Sequence, residues 1–148
     1  MKHQDPLEMV RSAEAIPLHD MSVGERIHRW ARLLEEHDGS VHALDRIEYM
    51  APADRRAVRG PKTPMAVAYA DPVLRAQGLS GDTLGEAMSF FELSDNDAHR
   101  MFCDCHYSGT MTGAGLAMRL RRHADVKARG TLFQRLARAL FGRPVVAA

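Results

Sequence analysis

The sequence predicts a single compact all-α domain of five to seven short helices, with room for one small β-hairpin between about residues 46 and 69. Three observations lead there. The 148 residues are 45% hydrophobic and 26% charged, the proportions of a chain that buries one core rather than of a disordered one. Apolar residues recur at i, i+3, i+4 spacing over much of the chain, and capping residues with Gly or Pro stops punctuate it at short intervals. No apolar run approaches the roughly 18 residues a membrane-spanning helix needs.

Residues 1–21 lack sustained periodicity and contain Pro6 and Pro17, so they read as an arm. Acidic residues and these prolines interrupt the apolar core that a signal peptide requires, which points to a cytoplasmic protein. The cysteine usage agrees: Cys103 and Cys105, one residue apart, point away from each other on a helix and cannot brace the fold.

Ser22 opens the first helix, because Glu25 three positions later completes a capping box. Ile27, Trp30, Ala31 and Leu34 follow at helical spacing, with Trp30 as a core anchor, and Asp38-Gly39 is the stop. Val41, Leu44 and Ile47 recur every third residue and favour a short helix, yet residues 46–50 also alternate like a strand. Residues 65–70 read either as the hairpin's second strand or, preferably, as a helix started by Thr63 and Pro64. Asp71-Pro72 is an N-cap with proline at the first helical position, and Gly78 ends that turn.

Asp82 is the expected cap of a helix running to about Phe91, and Ser94, partnered by Asp97, caps the next. Residues 108–113 break it, and Thr112 caps a helix carrying Leu116, Ala117, Leu120 and Ala124. Gly130-Thr131 is read as a boundary before a last helix that stops at Gly142 and Pro144. The resulting division is an arm over 1–21, a helical domain over 22–130, and a basic amphipathic helix and tail over 131–148.

The net charge of +1 hides a polarity. After residue 106 there are eight Lys or Arg residues against the single acid Asp125, a surplus of +7, so residues 1–106 carry −6. Such asymmetry suits an anionic partner at the C-terminal end, or attraction between the two parts of the fold.

Chemistry concentrates between Ser94 and His106. Wound as a helix, this run places Asp95, His99, Cys103 and His106 on one face, with Ala98, Met101 and Cys105 on the other and Phe102 at the border. His99, Cys103 and His106 have the spacing to hold zinc or another transition metal from successive turns, although a second ligand segment is not evident. Asp95 orienting His99, which would deprotonate Cys103, is the order of groups a cysteine nucleophile needs. The commoner role of such a face is a polar surface beside a core.

Residues 87–102 also space their apolar side chains like a helix-turn-helix. Asp95 and Asp97 at the start of its second helix oppose phosphates, so sequence-specific DNA binding is not expected. In the C-terminal segment, Phe133, Leu136, Ala137 and Leu140 form an apolar stripe flanked by Arg135 and Arg138. A last core helix is the favoured reading; docking on another protein, or weakly on an anionic membrane surface, is the alternative. The leading functional expectation is a small cytoplasmic binding or regulatory protein, not an enzyme, that engages another macromolecule, with Phe133, Arg135, Leu136, Arg138 and Leu140 as partner-binding residues. A metal-dependent or cysteine-dependent site on the Asp95/His99/Cys103/His106 face is the alternative.

Overall fold

The computed structural model describes residues 19–37, 40–42, 51, 53–54, 62–102 and 110–141. They form a small, mainly α-helical domain with one two-stranded sheet. Its elements are α1 (Val23–Glu36), β1 (Ser40–His42), α2 (Pro64–Ala70), α3 (Pro72–Ala76), α4 (Leu84–Phe90), α5 (Asp95–Phe102), β2 (Thr110–Thr112) and α6 (Gly113–Phe141).

The caps are where side-chain chemistry demands them. Ser22 Oγ accepts from Glu25 N while Glu25 Oε2 accepts from Ser22 N at 2.7 Å, the reciprocal box anticipated for α1. Thr63 Oγ1 accepts from Ala66 N at 3.0 Å with Pro64 at the first helical position, which makes 65–70 a helix rather than a strand. Asp71 caps α3, and Gly78 turns the chain out of it at φ +103°. Ser94 Oγ accepts from Asp97 N at 3.1 Å, and Thr112 Oγ1 accepts from Gly115 N at 3.1 Å.

Four expectations are corrected. The cap of α4 is Thr83, whose Oγ1 accepts from Glu86 N; Asp82 lies one residue too early. Val41 is in β1 rather than in a helix, while Leu44 and Ile47 lie outside the described residues. Among the described residues the one sheet lies outside 46–69. Its antiparallel strands come from distant parts of the chain, with Ser40 opposite Thr112, Val41 opposite Met111 and His42 opposite Thr110. Residues 46–50 are outside the described set. Finally, α6 runs unbroken through Gly130. Thr131 Oγ1 donates to Lys127 O at 3.0 Å, so its hydroxyl bonds back into the same helix instead of capping a new one.

The core is organised around Trp30, which is fully buried. Its ring stacks on Phe91 at 4.2 Å between centroids and on Phe102 at 5.3 Å, and its Nε1 donates to Pro64 O at 2.9 Å. One side chain of α1 thereby joins α2, the end of α4 and the end of α5, burying its apolar area while satisfying its only polar atom. The most extensive helix pairing is between α1 and α6. It requires Gly113, because a Cβ there would collide with the Leu34 carbonyl oxygen.

Polar ties close the remaining seams. Arg26 donates to Met21 O and Phe90 O, both at 3.0 Å, and lies over the Phe90 ring. Gln77 Oε1 accepts from Met21 N at 2.7 Å, fixing the entry to α1 against α3. Lys127 donates to Glu92 O and Oε2 at 3.2 and 3.1 Å, holding a residue with φ +48° in the turn between α4 and α5.

Candidate functional site

At 1.5 Å per residue, the 29 residues of α6 make a rod about 43 Å long. Leu116, Ala117, Leu120 and Ala124 bury one face of its first half against the core, and from Asp125 to Leu140 no described side chain is buried. The helix therefore outruns the body it belongs to.

All six exposed large hydrophobic residues of the described structure are on α6: Met118, Val126, Leu132, Phe133, Leu136 and Leu140, with Phe133 75% and Leu140 74% exposed. Their phase is informative. Met118, Arg122, Val126, Arg129, Phe133, Leu136 and Leu140 succeed one another in steps of three or four residues, a continuous stripe on the side of α6 opposite Ala117, Leu120 and Ala124. A second apolar feature adjoins it. A groove of about 420 Å³ between the start of α1 and α6 is lined by Val23, Ile27, Ala124, Lys127, Leu132 and Arg135, among others.

The basic residues of α6 divide by what they touch. Arg121 is bidentate to Glu35 of α1, with Nη2 to Oε2 at 2.6 Å. This hydrogen bonding holds the Glu35 carboxyl below the usual range and the guanidinium above its own. Lys127 is bound to Glu92. These two pairs are the attraction between acidic body and basic helix that the charge division allowed. Arg122, Arg129 and Arg135 are exposed.

Among the predicted partner-binding residues, Phe133, Arg135, Leu136 and Leu140 are thus on the exposed part of α6, and the favoured reading of this segment as a core helix is corrected to an external one. Arg138 is within α6, but its side chain is outside the described set. Sequence reading missed Met118, Val126 and Leu132 as members of the same surface. The boundary assumed at Gly130 cut Met118 and Val126 off from the rest of the stripe, and Leu132 lies off the stripe, in the groove against α1.

The Asp95/His99/Cys103/His106 face is only half described. Asp95 in the first turn of α5 and His99 in its last are exposed, while Ala98, Met101 and Phe102 are buried, so the phase expected for this helix holds over that span. Cys103, Cys105 and His106 lie outside the described residues. Among the described residues no three His, Cys, Asp or Glu side chains converge as a metal site, and no helix is long and apolar enough to cross a membrane. Asp95 and Asp97 occupy the first turn of α5, where a helix-turn-helix would meet phosphates.

Compared with known protein families, curated proteins and solved structures, the chain matches none of them.

Proposed function

We propose that this is a cytoplasmic, non-enzymatic binding or regulatory protein that engages another macromolecule through the exposed face of α6. The observation that supports it is the concentration of every large exposed hydrophobic of the described residues on one helix that extends past its own core. Isolated helices are marginal in water, and contiguous exposed apolar surface is a liability unless something covers it. Phe133, Leu136 and Leu140 supply the apolar anchors, with Arg135 and Arg138 as flanking charge. Titrating full-length protein against a candidate partner, with Phe133→Asp and Leu140→Asp variants of unchanged melting temperature, tests it. The reading fails if those variants bind as the parent does.

A second reading is favoured by one observation. The ladder pairs His42, on a second histidine-bearing segment, with Thr110, which follows His106 by four residues in the sequence. On that reading His99, Cys103 and His106 bind zinc or a similar metal, with proton release as thiolate and neutral imidazole form. Zinc titration of the tag-free protein checks it. Absence of a stoichiometric site, or a site indifferent to Cys103→Ser, removes it.

A further inference from the structure

The stripe on α6 is not uniformly apolar, and its interruptions identify what covers it. Arg122 and Arg129 stand within the row itself, one turn before and one turn after Val126, and Phe133 follows a turn beyond Arg129. Both arginines are exposed, and the acids that line the same shallow depression are Asp125 and the Arg121-bound Glu35. Building on the reading of α6 as a docking helix, we infer that the partner is a protein presenting an acidic, amphipathic helix or helical groove along α6. Its apolar residues meet Val126, Phe133, Leu136 and Leu140, and its carboxylates meet Arg122 and Arg129.

The geometry narrows the partner. Arg122 and Arg129 are seven residues apart, two turns or about 10.5 Å along the axis. That is the spacing of successive equivalent positions in a heptad, so one carboxylate per heptad on a facing helix meets both. A guanidinium fork bound by a carboxylate gains bidentate hydrogen bonds and a fixed register, which suits Arg at the centre of a seam. The 3–4 spacing of the row from Val126 to Leu140 is likewise that of a helix packed along another helix.

Two other occupants fit less well. An anionic membrane accepts arginines at the border of an amphipathic helix, where they reach headgroups, but Arg122 and Arg129 are mid-stripe and would be carried toward the acyl chains with their apolar neighbours. A second copy of this chain opposes like charge. A parallel in-register pair sets Arg122 on Arg122 and Arg129 on Arg129, and an antiparallel pair centred on the stripe again sets Arg129 on itself.

The test uses three synthetic amphipathic peptides of about 28 residues, four heptads, with leucine at the seam positions and one seam residue per heptad set to Glu, Gln or Lys. Binding to the full chain is read by anisotropy of labelled peptide. In parallel, the chain is sedimented with phosphatidylcholine vesicles containing about one quarter phosphatidylserine, and its own mass is measured by sedimentation velocity. The expected result is at least about tenfold tighter binding of the Glu peptide than of the other two, with the preference reversed toward Lys in an Arg122→Glu/Arg129→Glu variant. Equal binding of the three peptides, lost in Phe133→Asp, overturns the acidic partner while leaving α6 as an apolar docking helix. Vesicle binding without peptide binding overturns it in favour of a membrane, and self-association without peptide binding in favour of a second copy. Failure of the chain to bind any peptide, vesicle or copy of itself overturns this inference and the docking reading together.

Discussion

Arg29 and Asp71 hold each other in a bidentate pair, Nε to Oδ2 at 2.7 Å and Nη2 to Oδ1 at 2.9 Å, with side chains only 9% and 5% exposed. The same Oδ2 accepts from Leu74 N at 2.9 Å, so one carboxylate ties α1 to the start of α3 and caps that helix. Burial alone would raise the Asp71 pKa; the Arg29 and backbone hydrogen bonds outweigh it and leave it below its ordinary value of 3.8. A carboxyl with a depressed folded pKa stabilises the fold fully above its unfolded value and loses that contribution as pH falls through the folded value. Asp71→Asn keeps a capping side chain but removes the carboxylate charge that Arg29 grips, and should cost about 3–5 kcal/mol at pH 7. Urea titrations between pH 7 and pH 3 should show a shallower acid dependence in the variant, and an unchanged slope would remove Asp71 from the acid response.

Two glycines of α6 should respond oppositely to alanine. At Gly113 the new methyl meets the Leu34 carbonyl, and moving α1 away should cost about 1–3 kcal/mol. At Gly130 nothing lies within 4 Å, and the gain in helix propensity is up to about 1 kcal/mol. Far-UV circular dichroism should show higher helicity for Gly130→Ala, and denaturation a lower midpoint for Gly113→Ala.

Removing the end of α6 should leave the body standing. Truncation after Gly130 deletes Phe133, Leu136 and Leu140, none of which is buried, so the melting temperature should change little. Phe133→Ala in the full chain should stay within about 0.5 kcal/mol of the parent. Calorimetry decides the matter: an unfolded or aggregating 1–130 fragment would mean that these side chains support the core after all.

Trp30→Phe should cost about 1–3 kcal/mol because the indole donor to Pro64 O and part of the buried ring are lost, and Trp30→Ala about 3–5 kcal/mol through the cavity beside Phe91 and Phe102. Thermal melts at several wavelengths will show whether the aromatic cluster and the helices are lost together, as a shared core requires.

Local chemistry made much of this fold legible. The Ser22/Glu25 box, Thr63-Pro64, Asp71-Pro72 and Ser94/Asp97 each satisfy orphan N–H groups within a few residues, so the sequence alone displays them. Ile27, Trp30, Ala31 and Leu34 were read correctly as a buried face for the same reason. The β1–β2 ladder was not legible, since its partners are some seventy residues apart and three-residue strands carry no period of their own. Nor was the exposure of Phe133 and Leu140: an amphipathic stripe has the same spacing whether it faces a core or a partner. What decided it is where the buried face of α6 ends, at Ala124, and no local pattern encodes that.

The rod that outruns its core also sets a gradient of amide protection. Backbone hydrogens of α6 near Leu116 to Ala124 exchange only when the packed body opens, whereas those toward Leu140 exchange whenever the helix end frays. Along a single uninterrupted helix, each amide therefore reports its distance from the last packed side chain. A molecule seated on the far end would lift the fast-exchanging amides toward the slow ones, so deuterium uptake over residues 126–140 locates the footprint of a partner before that partner's identity is known.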